Sequence, residues 1–160
     1  VAVSAESTRA YLARYGLDEK IITYDVMTAT VEQAAEASGL EPGQIGKTMA
    51  FDVDGDAVLV VCAGDAKVWN SAFKRQFHTK PTFIKPDELE ERVGHPMGGV
   101  CPFDVRPGVR CYLDVSLRRY DFVRPAAGSE NTGVDATMEE LERASHSLGW
   151  VDVCKGWREE

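Results

Sequence analysis

A glycine, a lysine and a threonine stand together at positions 46–48, in the order that ends a nucleotide-binding P-loop. The P-loop pattern also requires a glycine five residues before Gly46, but that position is Glu41, and Pro42 follows it. It requires a strand before the loop and a helix after it, so that the helix N-terminus faces the phosphate. Here a helix pattern precedes the tripeptide and a strand pattern follows it. Lys47 therefore needs a role other than binding a nucleoside triphosphate.

Lys47 directly precedes residues 48–53, which we expect to form a buried strand. A lysine in such a position is costly unless its ammonium group has a partner or a ligand. A lysine at a strand end can also extend its ammonium group into solvent along its aliphatic stem. The position therefore indicates either a cation that binds a ligand or a solvated strand end.

A cysteine and a histidine share a glycine- and proline-rich segment at 94–107. A Cys/His hydrolase would use such a pair, with His95 drawing the proton from Cys101, but no third orienting group is evident. A buried thiol that lines a pocket is the alternative. The chain has no CxxC pair and no histidine at metal-ligand spacing from a cysteine, so we expect reduced thiols, no metal and no cofactor. The four cysteines are Cys62, Cys101, Cys111 and Cys154.

Length and composition predict one folded domain over residues 1–160, with hydrophobic residues making up 44% of the chain. No apolar run approaches the length of a membrane span, and the N-terminus lacks the pattern of a signal peptide. We therefore expect a cytoplasmic protein.

The net charge of −8 argues against broad, nonspecific binding of nucleic acid. A local exception lies at 65–85, a window that contains five basic residues and a single acidic residue, Asp65. This window predicts either a solvated helix face or a surface that faces RNA. The basic residues are Lys67, Lys74, Arg75, Lys80 and Lys85.

The helix signals include two capping boxes, which begin at Thr30 and Thr137. Asp65 is expected to cap a third helix. Pro86 opens a fourth, because proline is favoured in the first helical turn. Helices are predicted at 4–16, 30–39, 65–77, 86–94 and 137–147.

The strand signals include Asp54-Gly55-Asp56, a turn that would join two apolar runs as a hairpin. Because hairpins mix with helical crossovers, we expect an α+β domain with a mixed, mostly antiparallel curved sheet surrounded by helices. Strands are predicted at 21–26, 48–53, 57–63, 82–84, 109–117, 121–123 and 151–154.

Three segments together are more specific than any one of them. They are Gly46-Lys47-Thr48 entering a strand, the sequence GHPMGGVCPF at 94–103, and the sequence AAGSENTGVD at 126–135. In this order they resemble the YbaK/EbsC family. Members of this family are the freestanding relatives of the editing domain inserted in bacterial prolyl-tRNA synthetase. The resemblance covers nearly the whole chain, from about residue 7 to about residue 149.

The resemblance implies a pseudo-barrel of mixed strands wrapped by helices. It also implies hydrolysis of wrongly charged aminoacyl-tRNA at the acceptor end, commonly a proline tRNA that carries cysteine or alanine, with prolyl-tRNA synthetase as a candidate partner. The near-invariant lysine of the family matches Lys47. The GxxxP motif matches Gly98 to Pro102, and the glycine-rich segment with a following acid matches Gly128 to Asp135.

The ester that such an enzyme cleaves is already activated, so the site must place a nucleophile and stabilise the oxyanion. The resemblance implies that water, a ribose hydroxyl or the side chain of the substrate serves as the nucleophile. Lys47 would hold the terminal phosphate or the ester. The amides of Gly98 and Gly99 could point at the carbonyl, although an ordinary glycine turn is the alternative. Pro102 would stiffen the end of the loop.

The remaining site residues each have more than one explanation. Asp135 could pair with Lys47, bind the amino group of the substrate, or cap a turn. Ser129 and Asn131 could contact the terminal adenosine, but their tendency to form turns explains them as well. The candidates for shaping the pocket are Met27, Met49, Cys101 and Phe103.

Two other functions remain as alternatives to an aminoacyl-tRNA deacylase. A thioesterase or esterase that depends on Cys101 would be inactivated by iodoacetamide. A binding module that kept the fold but lost catalysis would bind tRNA or a protein without turnover. The intact lysine and GxxxP motif count against this last alternative.

Overall fold

The computed structural model describes residues 2–25 and 30–159. Within these ranges the chain forms five α-helices and four short 3₁₀ helices. None of the described helices is long and apolar enough to cross a bilayer. The α-helices are α1 (Ala2–Ala13), α2 (Val31–Ser38), α3 (Asn70–Phe77), α4 (Leu89–Arg92) and α5 (Met138–Ser145). The 3₁₀ helices are Asp18–Lys20, Pro42–Gln44, Pro86–Glu88 and Val115–Arg119.

The strands form a curled, mixed half-barrel with helices around it, which confirms the predicted fold class. The strands are β1 (Ile21–Thr23), β2 (Ile45–Val53), β3 (Asp56–Ala63), β4 (Lys67–Val68), β5 (Arg110–Asp114), β6 (Phe122–Pro125), β7 (Thr132–Val134), β8 (Ala136–Thr137), β9 (Trp150–Val151) and β10 (Cys154–Lys155). Six of them form the main sheet in the order β8-β6-β2-β3-β5-β9, while β1 pairs with β7 and β4 with β10.

The hairpin of β2 and β3 is the centre of the sheet and was predicted from its turn. Asp54 and Gly55 both have positive φ, 53° and 90°, which is the backbone geometry that matches the twist of paired strands. The carboxylate of Asp52 accepts a hydrogen bond from the Gly55 amide at 3.0 Å and so fixes the turn. In β3 every residue from 57 to 63 is buried. This strand is therefore the middle of the hydrophobic core.

Both predicted capping boxes are confirmed. The hydroxyls of Thr30 and Thr137 accept from the amides of Gln33 and Glu140, and each N3 side chain accepts in return from the backbone of the capping residue. The second box is tied to the N-terminal part of the chain, because Lys20 forms a salt bridge with Glu140 at 2.8 Å.

The prediction that Asp65 caps a helix is wrong. Helix α3 begins only at Asn70, and Trp69 at its N-cap makes no side-chain capping bond. The carboxylate of Asp65 instead accepts two hydrogen bonds from Arg119, at 2.6 and 2.9 Å. The residues between Asp65 and the helix include β4, which pairs with β10.

Several predicted strands have different bounds. The segment at 82–84 makes only one bridge, between Phe83 and Phe51. The strand predicted at 109–117 ends at Asp114, whose carboxylate accepts from the Ser116 amide and begins a 3₁₀ helix. The strand predicted at 151–154 is divided between β9 and β10, which lie in different sheets. The first strand is Ile21–Thr23, and the predicted end at Val26 lies outside the described residues.

Candidate functional site

A pocket of about 450 Å³ opens beside β2. Strand β2 forms one wall with its residues 45–50, and the loop at 97–100 contributes Met97, Gly98 and Val100. The end of β6 and the turn that precedes β7 close the other side. The structure therefore brings together parts of all three segments that the sequence singled out.

The topology of the sheet places these segments next to one another. Strand β6 runs parallel to β2, with Gly46 opposite Pro125. A Cβ atom at Gly46 would lie 3.2 Å from Pro125, closer than most side-chain contacts allow. Glycine at position 46 thus permits the two strands to approach at the floor of the pocket.

The ammonium group of Lys47 is held at the border of the pocket. Lys47 is half-buried, and its Nζ donates a hydrogen bond to the carbonyl oxygen of Ala66 at 2.5 Å. Lys47 also lines a neighbouring groove of about 540 Å³ that includes Gly64 and Ala66. Its cation has a fixed position between two depressions and is not simply extended into solvent.

Thr48, the next residue, was predicted only as the start of a strand. It lines the pocket, and its Oγ1 is buried with no hydrogen-bond partner among the described residues. A buried hydroxyl without a partner carries a free-energy cost that a bound ligand or water can remove. The Gly46-Lys47-Thr48 segment includes this threonine, but sequence reasoning gave its hydroxyl no role in the site.

The glycines at 98 and 99 have different environments. Gly98 lines the pocket with a φ of 92°, and a Cβ there would collide with the side chain of Glu130. A Cβ at Gly99 would lie 2.7 Å from the carbonyl oxygen of Gly128, so this glycine allows the two loops to pack. The amide of Gly99 donates to the carbonyl of Pro96 at 3.0 Å. The Gly99 amide therefore closes its own turn and is not directed at the pocket, in contrast to the expectation from the sequence.

The second glycine-rich segment is stabilised by its own hydroxyl groups. Ser129 lines the pocket and is buried, and its Oγ donates to the Asn131 side-chain oxygen at 2.9 Å. The Oγ of Ser129 also lies 2.8 Å from the hydroxyl oxygen of Thr132. These bonds form a turn and support the turn interpretation of Ser129 and Asn131.

Asp135 pairs with Arg124 rather than with Lys47. The guanidinium group of Arg124 donates to both carboxylate oxygens of Asp135, at 2.5 and 3.1 Å, and to the hydroxyl of Tyr24 at 3.4 Å. The hydrogen bond with Asp135 raises the pKa of Arg124 further above its ordinary value. Arg124 and Tyr24 line the pocket, and sequence reasoning missed both because neither belongs to a local motif.

Cys101 and His95 lie behind the pocket, in the core. Both are almost fully buried, and Cys101 Sγ lies 3.5 Å from His95 Nε2. The same nitrogen lies 2.6 Å from the carbonyl oxygen of Phe103. A carbonyl can only accept, so Nε2 carries the hydrogen and cannot take a proton from the thiol. Burial raises the pKa of Cys101 to about 12 and lowers the pKa of His95.

Of the other residues that were predicted to shape the pocket, some line it and others lie in the core. Met49 lines the pocket, while Pro102 and Phe103 are buried beside Cys101 and do not line it. Met27 lies outside the described residues. Within the described part of the chain, no group of three or more His, Cys, Asp or Glu side chains is placed to hold a metal ion.

The chain is similar to known proteins in sequence and in fold. A family model described as an aminoacyl-tRNA editing domain matches residues 25–144. An uncharacterized protein of Bacillus subtilis strain 168, YwhH, is 40% identical over 156 residues, which are 97% of this chain and 99% of that protein. A proline–tRNA ligase of Bacillus licheniformis is 25% identical over 125 residues, which are 78% of this chain and 22% of the ligase.

One solved structure is similar over almost the full length of both chains. It is the crystal structure of a protein assigned as a candidate trans-editing enzyme for prolyl tRNA synthetase. The TM-score is 0.86 at 28% sequence identity, and the match covers 96% of this chain and 98% of the other.

Proposed function

Because the chain belongs to the aminoacyl-tRNA editing domain family, we propose that it is a deacylase that hydrolyses mischarged aminoacyl-tRNA in trans. The substrate is a proline tRNA that carries cysteine or alanine. The similarity to a proline–tRNA ligase and to a candidate trans-editing enzyme for prolyl tRNA synthetase supports this choice of tRNA. The enzyme works as one editing domain in the cytoplasm, where charged tRNA is made, and prolyl-tRNA synthetase is its candidate partner.

The observation that carries the proposal is the pocket beside Lys47. Its volume of about 450 Å³ suits an amino acid and the ribose to which it is esterified. A cation at the border and an unpartnered hydroxyl at Thr48 are the two groups that a negatively charged, ester-bearing ligand would engage. The apolar wall, which includes Met49 and Ala50, would enclose a small side chain.

The chain has groups suited to each step of ester hydrolysis. Water attacks the carbonyl carbon, the bond from that carbon to the ribose oxygen breaks, and the proton from water passes to the ribose oxygen. Lys47 positions the substrate and stabilises the negative charge that develops on the carbonyl oxygen. The backbone of Gly98 borders the same space, and the Thr48 hydroxyl is a candidate to orient the water. Gly99 supports the loop by packing on Gly128.

Substrate choice would depend on the fit of the amino acid side chain. An apolar pocket discriminates by about 1–3 kcal/mol for each methylene, so neighbouring amino acids are separated only modestly. Met49 and Val100 are the residues of the wall that we expect to limit the size of the side chain. The tRNA or a partner protein would supply further selection.

The test is a deacylation panel with proline tRNA charged with cysteine, alanine, serine or proline. Hydrolysis of the cysteine or alanine ester, with the proline ester left intact, is the expected result. A folded wild-type protein that hydrolyses none of these esters, yet binds the tRNA, would identify the chain as a binding module. Equal hydrolysis of all four esters would remove the editing function.

A further inference from the structure

Two large apolar side chains are exposed at the mouth of the pocket. Phe83 is 56% exposed and Met97 is 64% exposed, and both line the pocket. Exposed apolar groups beside a concave site mark a surface that a ligand covers. The pocket encloses the space that we assign to the ester, so these two residues lie where the adjoining part of the substrate must pass.

The ring of Phe83 is held in place from below. It stacks on Phe51 with a centroid distance of 4.8 Å and an interplanar angle of 27°, and Phe51 packs in turn on Phe73 at 4.6 Å. The backbone around the ring is fixed to β2, because the Ile84 amide donates to the Ala50 carbonyl at 3.0 Å. One face of the ring is therefore packed and rigid, while the side chain as a whole keeps more than half of its surface open.

The segment that carries Phe83 is basic in an otherwise acidic chain. Residues 66–86 contain no aspartate or glutamate, although the net charge of the protein is −8. Lys80 and Lys85, which flank Phe83 in the sequence, are both exposed and form no salt bridge within the described residues. An exposed aromatic ring between lysines is the combination that proteins use to bind single-stranded nucleic acid.

We propose that Phe83 and Met97 form a stacking platform for a nucleobase of the single-stranded 3′ end of the tRNA, with Lys80 and Lys85 contacting its phosphates. The inference rests on the proposed function, because it places the RNA next to the ester in the pocket. It also gives a role to Lys80 and Lys85, the two lysines of the basic window that follow helix α3. The platform binds the RNA and takes no part in the reaction at the ester.

The first test measures stacking without hydrolysis. An uncharged acceptor-stem RNA with 2-aminopurine in place of the terminal adenine is titrated with protein, and the fluorescence of 2-aminopurine is followed. Wild type should quench the fluorescence. Phe83→Ala should weaken binding on the order of tenfold and lose the quenching, while Phe83→Trp keeps both. Leu148→Ala is the matched control, since Leu148 is 60% exposed and does not line the pocket.

The second test separates the platform from the deacylase function. Phe83→Ala should lower kcat/KM for charged tRNA by a much larger factor than it lowers kcat/KM for the ethyl ester of the same amino acid, which has no base. Equal losses on both substrates would overturn the proposal, as would wild-type binding and quenching by Phe83→Ala. RNA binding that depends on Phe83 without any deacylation would remove the proposed function and keep the platform. Deacylation of charged tRNA at an unchanged rate by Phe83→Ala would remove the platform and keep the proposed deacylase function.

Discussion

At the scale of single residues, the hydrogen on His95 Nε2 determines whether Cys101 can be activated as a nucleophile. His95 Nε2 donates to the carbonyl of Phe103, so it cannot act as the base for the nearby thiol. Burial raises the pKa of Cys101 to about 12, so the thiol stays protonated at pH 8 and is a poor nucleophile. The pair resembles a Cys/His dyad in sequence and is part of the core in structure.

We therefore expect the native protein to resist iodoacetamide at pH 8 and Cys101→Ala to retain most of its deacylase activity. Mass spectrometry of peptides after timed alkylation measures the first, and initial rates on charged tRNA measure the second. All four cysteines are buried, so urea-unfolded protein is the positive control for labelling. Rapid alkylation of Cys101 that destroys activity, and that substrate slows, would instead restore the thioesterase alternative.

The importance of Lys47 could be predicted from its position before a buried strand, but its partner could not. The Ala66 carbonyl that accepts its hydrogen bond belongs to the backbone and leaves no mark in the sequence. The pairing of Arg124 with Asp135 was not predicted either, because Arg124 lies in β6 and Asp135 follows β7, and only the fold brings the two side chains together. Sequence motifs identify residues that can do chemistry, whereas the tertiary fold determines which of these residues are in contact.

At the scale of elements, local signals were reliable where the contacts are local. Both capping boxes formed, because every atom of a capping box lies within four consecutive residues. The expected cap at Asp65 is absent, because strand β4 follows Asp65 and the helix begins only at Asn70. The Asp65 carboxylate instead binds Arg119, 54 residues away, which no local signal could indicate.

The capping box at Thr137 should contribute measurably to stability. Thr137→Ala removes the hydroxyl that accepts from the Glu140 amide at 3.2 Å, and we expect it to lower the free energy of unfolding. The loss should be about 1 kcal/mol, the usual cost of replacing a capping threonine with alanine. Urea denaturation at constant m-value measures it. Thr137→Ser keeps the hydroxyl and should retain most of the stability, so equal losses for both variants would contradict a capping role.

At the scale of the whole molecule, the half-barrel gathers segments that are distant in sequence. Strand β6 lies beside β2, which places Pro125 against Gly46, and the loop at 97–100 packs on the turn after Gly128. The order of strands in the sheet could not be read from periodicity, since alternation fixes which face a strand buries and not its neighbour. The resemblance of three ordered motifs implied a pseudo-barrel, but the order of the strands became visible only in the structure.

Burial of His95 should make global stability depend on pH. A histidine in an unfolded chain has a pKa near 6.5, and burial lowers the pKa of His95 in the folded protein, although its bond to Phe103 and the charge of Asp104 oppose the shift. The unfolded state therefore takes up a proton first as pH falls. The contribution of His95 is complete above about pH 6.5 and is lost as pH falls through the folded pKa, with a slope of at most about 1.4 kcal/mol per pH unit.

Free energies of unfolding measured from pH 7 to pH 5 would test this dependence. His95→Gln should flatten the slope, whatever its effect on absolute stability. His78→Gln is the matched control, because His78 is exposed. An unchanged slope for His95→Gln would show that other groups set the pH dependence.

The most direct test of the proposed editing site is the single-turnover rate at which Lys47→Ala deacylates the ester that wild type prefers. Lys155→Ala, which removes an exposed lysine outside the pocket, is the control. Loss of a group that stabilises a developing oxyanion usually costs about 10²–10³ in rate, so we expect at least a 100-fold loss for Lys47→Ala and little change for Lys155→Ala. A folded Lys47→Ala variant that deacylates as fast as wild type would contradict the assignment of the site.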